Sequence, residues 1–290
     1  MAGTKINRDS EKTEPSFKSG GPEDKTGRKQ DFTQGNIVKQ IVAFTLPLIA
    51  SSLLQALYNM VDMVIAGRFA GPSAISAINN SSQILVIITK IAIGITTGGC
   101  VLIAQFYGGK EDRSREEAAG TLVSLSAVLG IAFSVILAAS SGGILRILQA
   151  PAYDEAVLYL RICSAGMFFV YIYNAFSSML RAVGDSRTPM RIVIATTILN
   201  AVLDLVFVAG VGMGVAGAAW ATVIAQVLSA LLSLAAIMKE KELIRFTREF
   251  LRIRMGMLKQ TLKVGIPSAV QMTIAGFSWL LVTFLINRYG

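Results

Sequence analysis

The chain has 290 residues, of which 53% are hydrophobic and only 16% charged, against about a quarter charged in a soluble domain, so water is not the solvent for most of this fold. Histidine is absent and there are 2 cysteines, which removes the commonest general base and metal ligand and leaves catalytic chemistry without its usual groups. The net charge of +9 does not mark a nucleic-acid binder, because the bases gather at the ends of apolar runs, where they act as topology signals.

Residues 1–36 are polar, mix both signs of charge and lack an apolar core, so they read as a disordered cytoplasmic tail rather than a signal peptide. Seven apolar runs follow, each long enough at 1.5 Å rise per residue to cross a core of about 30 Å. The expected helices are 38–66, 75–105, 116–140, 155–181, 188–209, 214–238 and 260–287. Strands are excluded, since open sheet edges cannot be satisfied in lipid. Cys100 and Cys163 both fall inside apolar runs without metal-ligand spacing and read as packing residues.

Connections alternate in charge. The tail through Lys39 and the connections after helices two, four and six hold 22 Lys and Arg, against 3 on the other side: Arg68, Arg146 and Arg288. The positive-inside rule then places the N-terminus in the cytoplasm. Within 240–258, Leu243, Phe246, Phe250, Ile253 and Met257 recur at steps of three and four. That spacing makes an amphipathic linker helix lying on the cytoplasmic interface.

A weak internal repeat has an offset of 220 residues. Pro47 matches Pro267, Leu46 matches Ile266, and Arg68-Phe69-Ala70 matches Arg288-Tyr289-Gly290. Helix seven therefore reads as the first helix of a second copy, a common plan among transporters. The expected organisation is an all-α membrane protein: tail 1–36, a six-transmembrane-helix lobe 37–239, linker 240–258, and a helix 259–290 that opens a truncated second repeat.

Of the 18 acids, only Asp62 and Asp204 lie inside apolar runs. Ionisable groups there are costly and usually face a cavity or a partner, so both are candidate functional residues. Asn200 precedes Asp204 by four positions and shares its helix face, and Asn59 stands three before Asp62. Thr222 places a hydroxyl among small residues, although a hydroxyl bonded back to its own helix is the plainer reading of Thr222 alone. Carboxylates with amide and hydroxyl neighbours form a hard-oxygen site able to hold Na⁺, at Asp62, Asn200 and Asp204, or to trade protons. Lys90 sits mid-span in helix two, facing either that cavity or a watery vestibule. Tyr171, Tyr173, Asn174 and Phe176 either line a mixed cavity or pack. Gly94 and Gly98, and Gly217, Ala221 and Ala225, mark close helix contacts.

These residues sit in stretches that resemble the multidrug and toxic compound extrusion family, especially its DinF-like branch. The similar stretches are Pro47 to Arg68, Ala104-Gln105-Phe106-Tyr107-Gly108-Gly109-Lys110, and Leu180-Arg181-Ala182-Val183-Gly184-Asp185-Ser186-Arg187-Thr188-Pro189, the most specific. Asn200-x-x-x-Asp204 and Gly214-x-x-Gly217-x-Ala219 complete the set. The resemblance implies a twelve-helix transporter of two six-helix lobes that exports cationic and aromatic compounds in exchange for H⁺ or Na⁺. Its first-lobe cation site maps to Asp62, Asn200, Asp204 and Thr222, and a substrate cavity is expected at Asn59, Lys90, Tyr171 and Asn174. The expected setting is the bacterial inner membrane. Membrane lipid, small organic cations and a missing C-terminal lobe are the expected partners, with no nucleic acid and no cofactor beyond the coupling ion. Two alternatives stand beside this reading: a lipid-linked precursor flippase of the same superfamily, whose cavity would be more basic, and a non-transporting membrane fragment.

Overall fold

The computed structural model of the chain describes residues 37–239 and 251–289. Seven helices carry this part of the chain: α1 (Ile37–Phe69), α2 (Pro72–Gly108), α3 (Asp112–Ile147), α4 (Tyr153–Ala182), α5 (Arg187–Asp204), α6 (Gly214–Lys239) and α7 (Met255–Tyr289). All seven, the fifth counted on through Gly210, are long and apolar enough to cross a membrane. Rows of leucine, isoleucine and valine stay exposed along them, as on α1 at Leu46, Ile49, Leu53 and Leu57. In water such rows would be unstable, whereas in a bilayer they are the solvated surface.

The termini follow local chemistry. Gly71 turns between α1 and α2 at φ 93°, a conformation that L side chains rarely adopt, and Pro72 then opens α2 where no N–H is required. Between α4 and α5, Asp185 Oδ1 accepts from the backbone N–H groups of Arg187 at 3.1 Å and Thr188 at 2.9 Å. It thereby satisfies orphan donors at the start of α5.

Helices α1 to α4 and α7 run three or more residues beyond the lengths expected from hydropathy, because their polar ends continue the helix past the apolar run. The expected fifth helix is not one α-helix: after Asp204 the chain makes a π-helical turn, Leu205–Gly210. Of the expected linker helix, 240–250 lies outside the described residues, as does the tail 1–36. Residues 251–254 are not helical, and Met255 and Met257 belong to α7. Polar contacts to α3 hold that stretch instead: Ser124 Oγ donates to the Leu251 carbonyl at 2.7 Å, and the Arg254 N–H donates to Thr121 Oγ1 at 3.1 Å.

The central helix is α4, packed against α2, α3 and α6, while α5 lies between α6 and α1. Lys110, Arg187 and Lys239 share one end of the bundle, called here the basic end. Toward it, Leu102, Ile103, Leu122, Phe176, Met179, Leu180 and Ile237 form one core. A second core toward the opposite end joins Ile65, Ala66, Tyr159, Leu160, Val208, Val215 and Ala218. The α7 helix lies antiparallel along α2. A Cβ on Gly98 would stand 2.6 Å from the Gly265 nitrogen, and one on Gly94 would run into the Ala269 backbone. Near the other end, Asn287 Nδ2 donates to Asn80 Oδ1 at 2.7 Å and to the Leu148 carbonyl at 3.2 Å.

Candidate cation site

Asp204 is fully buried at the last turn of α5. Asn200, one turn earlier, is also buried. With its amide oriented to satisfy both ends, Asn200 Nδ2 donates to Asp204 Oδ2 at 2.8 Å, and its oxygen accepts from the backbone N–H of Thr222 on α6 at 3.2 Å. One side chain thus ties α5 to α6 and orients a carboxylate.

The α1 helix packs against α5, the π-helical turn and α6. It brings in Asp62, only 5% exposed. The two carboxylates are close enough for the charge of Asp62 to act on Asp204. Each keeps one buried oxygen, Asp62 Oδ1 and Asp204 Oδ1, without a hydrogen-bond partner among the described residues. Buried polar atoms are normally satisfied, so an orphaned oxygen on each of two neighbouring buried carboxylates suits a site that receives a positive ion.

Asp62, Asn200, Asp204 and Thr222 are therefore brought together. Two neighbours were not legible in the sequence. Cys163 on α4 is fully buried, lies within reach of both carboxylate charges, and shares a side-chain hydrogen bond with Tyr159. Their four-residue spacing places them on one face of α4, but only the packing of α4 against α6 shows that this face backs the site. The π-helical turn begins directly after Asp204. Such turns are rare and concentrate at functional sites. Here the Val211 N–H reaches back to the Val206 carbonyl at 2.8 Å.

Three of the four expected substrate-cavity residues have described side chains. Tyr171 is buried, stacks on Phe133 with ring centroids 5.6 Å apart, and donates to the Ile88 carbonyl at 3.2 Å. Asn174 is buried and donates to the Val170 carbonyl of its own helix at 2.8 Å. Lys90 points to the α2–α7 seam, where a Cβ on Gly276 would stand 3.7 Å from its Nζ. The side chain of Asn59 lies outside the described residues.

A family profile described as MatE matches residues 47–206, more than half of the chain. The chain is 31% identical over 265 residues to the probable multidrug resistance protein YpnP of Bacillus subtilis (strain 168), covering 90% of this chain and 58% of that protein. It is 28% identical over 270 residues, with the same coverage, to the probable multidrug resistance protein YoeA of the same organism. Among solved structures, a crystal structure of a MATE protein in the bent conformation superposes with a TM-score of 0.77 at 28% identity, covering 84% of this chain and 55% of that one. The chain thus spans a little over half the length of the relatives it matches. It is a multi-pass membrane protein, and it belongs to the multidrug and toxic compound extrusion family.

Proposed function

We propose that this chain supplies the ion-binding half of a secondary active antiporter that exports amphipathic organic cations in exchange for H⁺ or Na⁺. The observation that carries the reading is the pair of orphaned oxygens on Asp62 and Asp204, the Asp204 carboxylate being held by Asn200, which also bonds α6. Carboxylate and amide oxygens are hard donors suited to Na⁺, and the same carboxylates accept protons. Multidrug-resistance names among the relatives support drug export.

A bound cation would alter the cost of keeping the two carboxylates buried. The site would thereby favour one packing of α1 against α5 over another, and a ligand shifts an equilibrium only through such differential binding. Export is proposed for an assembly in which residues 37–239 form one lobe and α7 opens a second, since alternating access moves one repeat against another. The expected setting is the bacterial inner membrane, with the basic end in the cytoplasm.

The test is ion binding to the chain itself. In lipid nanodiscs, Na⁺ or acidification should raise thermal stability, and Asp204→Asn should abolish the rise while the helical circular-dichroism signal persists. An unchanged response in that variant overturns the assignment.

A further inference from the structure

Two bases from different helices meet at one hollow on the flank of the bundle. A cavity of about 290 Å³ lies between the end of α4, the start of α5 and the end of α6. Arg191 of α5 and Lys239 of α6 line it, together with Thr188 and Asp185. Ala195 on α5 and Leu232 and Ala235 on α6 continue it as an apolar wall. Arg191 and Ala195 are one turn apart, and Leu232, Ala235 and Lys239 recur at steps of three and four on one face of α6. The cavity therefore has its cations at the basic end and its apolar wall toward the middle of the bilayer.

This side of α5 is not the side that serves the cation site. Arg191, Ala195, Ile198 and Val202 are exposed at steps of four, three and four, a stripe that faces lipid. Thr196, Asn200 and Asp204 are buried on the other face. On α6, Leu231 is exposed beside the apolar wall. Arg191 and Lys239 are themselves exposed and take no ion pair or hydrogen bond from the described residues. Asp185 is the one acid among the lining residues. It is buried, and its Oδ1 already accepts from the N–H groups of Arg187 and Thr188. The cavity thus keeps an excess of positive charge. A topology signal needs bases at the helix ends, but it does not need two of them to converge on a hollow.

We propose that this cavity binds one anionic phospholipid, with the phosphodiester between Arg191 and Lys239 and an acyl chain along the exposed stripe of α5. Charge complementarity asks for an anion, and the apolar wall that opens onto the lipid-facing stripe asks for an amphipathic one. A soluble anion would answer the two bases and leave that wall uncovered. A zwitterionic lipid would bring its own cation up to them. Basic pockets between membrane helices on the cytoplasmic side suit anionic headgroups, and that leaflet supplies them. Bound there, the lipid braces the basic ends of α5 and α6, the two helices that carry Asp204 and Thr222 further along. The inference goes beyond the antiporter reading and does not depend on it.

The test titrates the chain in detergent micelles with phosphatidylglycerol or with phosphatidylcholine of the same acyl chains, and counts bound lipid by native mass spectrometry. Phosphatidylglycerol should bind at least about tenfold tighter, the range of charge-assisted contacts. Arg191→Gln with Lys239→Gln should remove that preference. Lys110→Gln with Arg113→Gln takes as much charge from the same end outside the cavity and should keep it. Ala235→Trp fills the cavity from an exposed position, leaves both bases in place, and should weaken phosphatidylglycerol as much as the loss of the two charges does. Equal binding of the two lipids by the unmodified chain overturns the inference. So does an equal loss in the two double variants, or a preference that survives both Arg191→Gln with Lys239→Gln and Ala235→Trp. Displacement of phosphatidylglycerol by an equal concentration of soluble glycerol 3-phosphate overturns it as well, since the occupant would then be a free phosphate ester. None of these outcomes bears on the cation site.

Discussion

Asn200 holds Asp204: the amide nitrogen of the first donates to Oδ2 of the second at 2.8 Å, one turn along the same helix. The other end of that amide is fastened to α6 through the Thr222 N–H at 3.2 Å. The carboxylate is therefore held by a residue that is itself fixed at both ends, and its second oxygen, Oδ1, is left without a hydrogen-bond partner among the described residues.

Asn200→Ala should therefore act on ion binding more than on folding. It removes a hydrogen bond to a charged group, worth about 1.5–3 kcal/mol, and unties α5 from α6. Na⁺ affinity, measured by thermal shift against a choline control, should fall at least about tenfold, with Asp62 and Asp204 both still present. Asn200→Asp keeps the shape but adds a third negative charge beside two others, and should lower the thermal midpoint in the absence of Na⁺.

The α2–α7 contact sets up a packing prediction. Gly98 already sits so near α7 that a Cβ would stand 2.6 Å from the Gly265 nitrogen. The obstacle is backbone, which cannot rotate away. Gly98→Val should force the helices apart at a cost of about 1–3 kcal/mol, typical of overpacking. The check is the thermal midpoint in nanodiscs, with Gly143→Ala as control, since a Cβ there meets nothing within 4 Å. An equal response in the two variants would contradict the close approach.

The membrane architecture was legible because hydropathy and charge report directly on lipid: seven apolar runs became seven helices, and small residues at four-residue spacing became close contacts. Asp62, Asn200 and Asp204 stood out because a carboxylate in an apolar run is costly enough to need a reason. What packing decides was not legible. Tyr159 and Cys163 look like any apolar stretch until α4 meets α6. The π-helical turn after Asp204 has no signature in hydropathy, which sees only a continuous apolar run from 188 to 209. Tyr171 and Asn174 have the composition of a cavity wall, and only the fold shows that the Tyr171 hydroxyl reaches the Ile88 carbonyl on α2 while Asn174 Nδ2 bonds its own helix at Val170. At 251–254, the hydrophobic spacing that suggested a helix was overridden by hydrogen bonds to Thr121 and Ser124 on α3.

Those same contacts make a local prediction. Arg254 is fixed to α3 twice, by its N–H on Thr121 Oγ1 at 3.1 Å and by its guanidinium 3.8 Å from Glu117. The ion pair is partly exposed and worth little, under about 1 kcal/mol. Thr121→Val should therefore speed amide exchange at Arg254 clearly, while Glu117→Gln changes it only slightly. Amide exchange followed by mass spectrometry separates the two, and a larger effect from Glu117→Gln would reverse the ranking.

Gly217 links the π-helical turn to the cation site. A Cβ there would lie 3.0 Å from Phe207 Cβ, 3.1 Å from the Phe207 carbonyl carbon and 3.0 Å from Met213 Cβ, so α6 leans on the wide turn with no side chain between them. Thr222 follows five residues later on the same rigid helix and offers its N–H to Asn200. Pushing α6 away at Gly217 should lengthen that hydrogen bond without touching any ligand of the ion. Gly217→Ala requires a shift of only a few tenths of an ångström and should weaken Na⁺ binding modestly. Gly217→Leu should weaken it by an order of magnitude or more, at a folding cost of about 1–3 kcal/mol. A variant that loses stability yet binds Na⁺ with unchanged affinity would show that α6 does not position the site.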